Sequence, residues 1–179
     1  MKGLRAGNIY RLIGAMLLAV LAGCSTIDAG QAPGLSKTDN WALLPVANYT
    51  ETPEAGKRAE SIAQSVLQQD GFANLWQYPG DNDTDALLNG HPNAARAKAL
   101  AWARKAGARY ALTGSVQEWR YKVGVDGEPV AGLTFDVIDV STGKIVWSAT
   151  GSRSGWSRSS LAGVAQTLIR QLLAPLAQR

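Results

Sequence analysis

The chain has 179 residues, 46% of them hydrophobic, with 18 basic against 14 acidic side chains and a formal net charge of +4, which suits one globular domain with its own core. Three of the basic residues, Lys2, Arg5 and Arg11, lie at the extreme N-terminus. Without them the balance is 15 against 14, and the basic surface that nucleic-acid binding needs is gone.

Those three residues form the positive n-region of a secretory signal, and Leu12 to Leu21 form its uncharged apolar h-region. Ten residues are too few to span a bilayer, which takes roughly 20. The run ends in Leu21-Ala22-Gly23-Cys24, which reads as a lipobox around the only cysteine of the chain. Residues 1–23 are therefore expected to be cleaved, leaving Cys24 as a lipidated N-terminus that carries diacylglycerol and an N-acyl chain. A Cys24/His91 catalytic pair is ruled out by the same step, because lipidation consumes the thiol. Residues 24–39 are rich in Ser, Thr, Gly, Ala, Asp and Pro without periodicity and are predicted to be a flexible linker. Ser25 stands where an aspartate would favour inner-membrane retention, so the outer membrane, periplasmic face, is the expected address.

The folded part is predicted as a single domain over residues 40–179. Trp41 to Tyr49 reads as a buried strand, although Pro45 cannot donate to a ladder and favours an edge. Glu54 to Asp70 sets Ala59, Ile62, Ala63, Val66 and Leu67 at helical spacing before Gly71. Phe72 to Tyr78 reads as a second strand. The loop Asp81-Asn82-Asp83-Thr84-Asp85 offers acids to a hard cation, but Ala86 and Pro92 stand where an EF-hand needs glycine and glutamate, so no metal is expected. Asn93 to Lys105 is an alanine-rich helix with one stripe through Ala94, Ala97 and Ala101 and another through Ala95, Ala99, Trp102 and Ala106. One stripe is expected to cover the sheet, while for Trp102 the core and a neighbouring subunit are both open.

From Arg109 the period changes to two, around Tyr110-Leu112-Val116, Leu133-Phe135-Val137 and Ile145-Trp147-Ala149, with turns at Asp126-Gly127 and Thr142-Gly143. Leu161, Val164, Ala165, Leu168, Ile169, Leu172 and Leu173 mark a last helix that Pro175 should end. The fold class is α+β: a βαβαβββα sandwich, with a mixed sheet and helices packed on one face.

Catalysis is not expected. His91 lies in a Gly-His-Pro loop, and Gly151-Ser152-Arg153-Ser154-Gly155 has Arg153 where a nucleophile elbow needs serine. More conspicuous are aromatics beside cations: Trp119 within Trp-Arg-Tyr-Lys, and Trp156 between Arg153 and Arg158. Trp156 has little apolar cover in its Gly-Ser surroundings and is expected to touch a membrane or a partner. For Trp119 burial and contact are both open.

Gly114-Ser115-Val116, Trp119 to Lys122, Val125 to Pro129, Thr142 to Ser148 and Ser152 to Ser157, in this order and spacing, resemble the PelC family of outer-membrane lipoproteins of Pel exopolysaccharide secretion. The resemblance covers Trp41 to the end. It implies a fold related to the N-terminal domain of TolB and to lipoprotein activators of peptidoglycan synthases. It also implies a closed homo-oligomeric ring, a dodecamer, under the inner leaflet of the outer membrane, collaring the export porin. Pel is a partly de-N-acetylated, cationic polysaccharide, and an acidic mouth would attract it; Asp126 and Glu128, with Asp136 or Asp139, are the best match to such a surface. Trp156 would match the aromatic that seats the ring. The alternative is a monomeric lipoprotein that activates or scaffolds a periplasmic cell-envelope synthase, against which the short linker argues.

Overall fold

A computed structural model describes residues 25–31, 34–80, 92–124 and 127–178. Cys24, the Asp81 to Asp85 loop, His91 and Asp126 lie outside the described residues.

One six-stranded mixed sheet organises the chain. Strands β4 (Tyr110–Tyr121), β5 (Pro129–Asp139) and β6 (Ile145–Ser154) form an antiparallel meander, as the alternation predicts, and Gly127 and Gly143 take the positive φ their hairpins require. Strand β2 (Trp41–Asn48) joins it parallel to β4, and the three-residue β3 (Leu75–Gln77) pairs parallel to β2. Gly71 is the reason β3 is shorter than expected. At φ 93 it closes the preceding helix, and the Phe72 amide donates back to the Leu67 carbonyl, so Phe72 belongs to a helix cap and packs edge-on against Trp41.

One expectation about strands is corrected. Residues 25–29 are not linker: Ser25–Ala29 form β1, antiparallel to β6, giving the order β1-β6-β5-β4-β2-β3. Gly151 makes this possible, since a Cβ there would stand 2.7 Å from the Thr26 carbonyl oxygen. The ladder is continued by the Gly30 amide on Ser148, and the Trp147 indole donates to the Gly30 carbonyl. Pro45 keeps the edge preference expected of it: it sits at a register shift between Leu43 and Val46, beyond the end of β3, where the outer side of β2 has no neighbour among the described strands. There the Pro45 carbonyl accepts from Thr113 Oγ1, while the Val46 amide turns to Glu60 Oε1 at 2.8 Å, so no ladder bond asks for the missing donor.

Helices α1 (Ala55–Gln69) and α3 (Leu161–Ala177) cover one sheet face and enclose the main core, with Trp41, Phe135, Leu168, Ile169, Leu172 and Leu173 fully buried. Helix α2 (Pro92–Ala106) lies on the opposite face, so packing on one face describes two of the three helices among the described residues. Its buried line is Ala99 and Ala103, seated on Ala42, Leu44, Ala111 and Ile138. The expected stripe Ala94, Ala97, Ala101 is exposed, and Trp102 is half-buried against Tyr78 of its own chain, 5.5 Å between ring centroids. Pro175 does not end α3. It falls in the last turn, where burial of Leu176 holds two further residues in the helix.

Candidate functional site

Both ends of the sheet carry a hairpin, and one end gathers the exposed aromatics. At this end, here the hairpin end, lie the finish of β2, the β4–β5 connection, the β6–α3 corner and the start of β1. Register sets them side by side: Tyr121 faces Pro129, Val130 faces Ser154, and Arg153 faces Ser25. Among the described residues six large hydrophobics are exposed, and four of them, Tyr49, Tyr121, Val123 and Trp156, are here. Strands 4.7–4.9 Å apart place β4, β5 and β6 across about 10 Å, so Tyr121, Val123 and Trp156 form a belt along one rim, while Tyr49, whose amide donates to the Val116 carbonyl, stands further back along the sheet.

The corner is built to hold Trp156 outward. The Gly155 amide donates to the Pro129 carbonyl and prolongs the β5–β6 ladder, and a Cβ on Gly155 would stand 2.5 Å from Val164 Cγ2. The Ser159 amide closes a turn on the Trp156 carbonyl, Ser160 caps α3 by accepting from the Gly163 amide, and Tyr121 Oη accepts from the Leu161 amide. With the backbone on both sides engaged, the indole projects into solvent at 66% exposure, as expected from sequence. Beneath it opens a pocket of about 280 Å³ lined by Arg153, Ser154, Ser159, Ser160 and Thr167 among others, with no carboxylate in the lining.

Charges at this end are unevenly matched. Arg120 pairs with Glu118 at 2.9 Å, and Lys122 reaches Glu128 at 3.4 Å and Ser154 Oγ at 3.2 Å. Arg153 touches only the Gln171 amide oxygen, at 3.4 Å, and Arg158 is exposed without a partner among the described residues.

Trp119 is a correction. It is 2% exposed in the main core and is no contact residue. Strict alternation from Val116 would carry Glu118 under the helices and Trp119 to the open face; a register shift between Val116 and Glu118 reverses this and sets Trp119 beside Ala131.

The predicted acids do not form one surface. Glu128 is in the β4–β5 connection, tied to Lys122. Asp136 lies on the sheet face that α1 and α3 leave open and accepts from Ser148 Oγ at 2.8 Å. Asp139 is at the far end of β5, eleven residues and about 35 Å along the strand from the hairpin end. There its carboxylate accepts from Ser141 Oγ, the Thr142 amide and Thr142 Oγ1, and these bonds hold its pKa down to about 2. Asp139 organises a turn.

Sequence reasoning missed Val123 and Tyr49, whose only signal is that they follow the last ladder residues of their strands. Among the described residues no three His, Cys, Asp or Glu side chains gather as metal ligands, and no helix is long and apolar enough to cross a membrane.

No family model matches the chain, and no curated protein does. The solved PelC dodecamer of Paraburkholderia phytofirmans is 49% identical, covers 87% of this chain and 99% of its own, and superposes with a TM-score of 0.74. The chain belongs to the PelC family. A point variant of the same PelC dodecamer matches at equal identity and TM-score, over 87% of this chain and 100% of its own. The PelC-type βα arrangement extends to the lipoprotein GNA1162 of Neisseria meningitidis, which is 18% identical over 79% of this chain and 99% of its own with a TM-score of 0.54, a likeness of fold alone.

Proposed function

We propose that this PelC-family chain is an acylated lipoprotein of the outer membrane that stands with its hairpin end against the inner leaflet, closes into a ring with its copies, and guides cationic Pel exopolysaccharide to an export porin. One observation carries the orientation: β1 begins at Ser25, the residue after Cys24, and docks beside Arg153 at the end that exposes Trp156, Tyr121, Val123 and Tyr49. Tyr and Trp favour the membrane–water interface. A lipid on Cys24 would enter the bilayer one peptide bond from the sheet, where a free linker of about 15 residues would allow an excursion of roughly 20 Å. The aromatic belt and the lipid thus support the same seating.

The ring rests on the PelC dodecamer, nearly half of whose sequence this chain shares. Around a ring each weakly attracting acid repeats in every copy, which focuses the field in the opening without a tight site that would stall a moving polymer. Asp126 and Glu128, with Asp136, carry this role in the reading; Asp139 is left out because it lies at the far end of β5, about 35 Å along the strand from Glu128. No catalytic step is involved, and the covalent lipid is the one prosthetic group. The monomeric activator of an envelope synthase is the competing reading, and the absence of a long arm between Ser25 and the sheet counts against it.

The test combines mass and membrane retention. Light scattering of residues 25–179 should give a closed oligomer; a monomer at all concentrations supports the activator instead. In cells, Trp156→Ala combined with Val123→Ser should weaken retention of the acylated protein in outer-membrane fractions after a high-salt wash, and unaltered retention would remove the seating.

A further inference from the structure

We propose that the pocket under Trp156 is a headgroup site for an anionic phospholipid, whose phosphate is held by Arg153 and Arg158 while the indole and Val123 lie among the upper acyl segments. The proposal rests on the membrane seating above and goes beyond it by naming the lipid chemistry: insertion of aromatics alone does not distinguish anionic from neutral headgroups.

Three independent features meet here. The pocket, about 280 Å³, is lined by Arg153 together with Ser154 and Ser159 and has no carboxylate, a lining suited to phosphate oxygens. Other cations of this end are neutralised, Arg120 by Glu118 and Lys122 by Glu128, whereas Arg153 and Arg158 have no carboxylate partner among the described residues. Finally, Ser25 is the cross-strand partner of Arg153, so an acyl group on the preceding residue would bring headgroups to this guanidinium by covalent geometry. The indole N–H, without a partner among the described residues, is free to donate in the same layer.

A guanidinium at an anionic surface is worth roughly fivefold in partition, so the pair is worth roughly 25-fold at low salt, and less at physiological salt, where exposed charges are screened beyond about 8 Å. Residues 25–179 are a suitable probe, because the solved PelC folds as a chain that matches 87% of this one and extends hardly beyond it. The experiment is flotation of this fragment with vesicles of phosphatidylcholine alone and of phosphatidylcholine mixed with phosphatidylglycerol. The fragment should bind the anionic vesicles at least tenfold better, in a salt-dependent way. Arg153→Gln with Arg158→Gln should reduce that binding to the neutral level, whereas Trp156→Ala should lower binding to both vesicles alike; circular dichroism checks that each variant is folded. Equal binding of the unaltered fragment to both vesicles, or an unchanged preference in the double arginine variant, overturns the headgroup site and leaves the seating intact. No binding to either vesicle overturns both.

Discussion

The two hairpins of the meander sit at opposite ends of one sheet and differ in how their polar groups are satisfied. In the β5–β6 hairpin Asp139 accepts from Ser141 and Thr142, its amide donates to the Lys144 carbonyl, and the Gly143 amide closes on the Asp139 carbonyl. That turn is complete within itself. Among the described residues the β4–β5 hairpin has a backbone bond from the Lys122 amide to the Glu128 carbonyl and an ion pair between the same two residues, and it exposes Tyr121 and Val123 beside Trp156. A self-satisfied turn is scaffold. A rim that leaves a valine, a tyrosine and an indole in water next to arginines with no carboxylate partner among the described residues is where the proposed contact falls, because monomeric proteins seldom gather such groups in one patch.

The sharpest way to break this contrast is to compare the two tryptophans. Trp119→Ala removes a buried ring and should cost about 3–5 kcal/mol, whereas Trp156→Ala should change stability by no more than about 0.5 kcal/mol while weakening membrane retention. Urea denaturation reads both, and equal costs would erase the distinction between core and rim. The acids come next. Asp126→Asn with Glu128→Gln should lower polysaccharide export without changing the mass of the oligomer, and Asp139→Asn should leave export at the unaltered level; a drop with Asp139→Asn alone would move the guiding surface to the other end.

A smaller effect separates the ends by pH. Hydrogen bonds depress the Asp139 pKa from 3.8 to about 2, so the stability they add is complete above 3.8 and is lost as pH falls through about 2. Melting curves of Asp139→Asn should therefore show a shallower decline across that window than the unaltered protein. The smallest change concerns neither end. Burial raises the pKa of half-buried Glu60 above 4.5, against the opposing pull of the Val46 amide. A raised carboxyl favours folding most below 4.5, and that contribution fades as pH rises through its folded value. Glu60→Gln keeps an oxygen for the Val46 amide without the charge, so its melting temperature should match the parent in acid and slightly exceed it at neutral pH.

How much of this was legible varied with the range of the determining contact. The α3 stripe from Leu161 to Leu173, the alternation of β4 to β6 and both hairpin glycines depend on neighbours a few positions away, and the structure agrees with each. Exposure of Trp156 was also readable, since its Gly and Ser neighbours supply no cover. The linker assignment failed because Ser25–Ala29 has one large apolar residue, Ile27, and becomes a strand only through bare Gly151, some 120 residues away. Trp119 eluded sequence reasoning for a related reason: one register shift in β4 turns the strand over, and nothing in Val116-Gln117-Glu118 announces it.

By itself, the sequence determined the kinds of element from Trp41 onwards, their order and the family resemblance, because helical and strand periods and short motifs are written in adjacent residues. Only the tertiary structure decided that α2 crosses to the second face, that Asp139 belongs to a turn remote from Glu128, and that the strand after Cys24 begins beside Arg153, at the end that carries Trp156. Those are outcomes of strand pairing between distant segments, and pairing is set by which backbones can approach and which side chains can share a core.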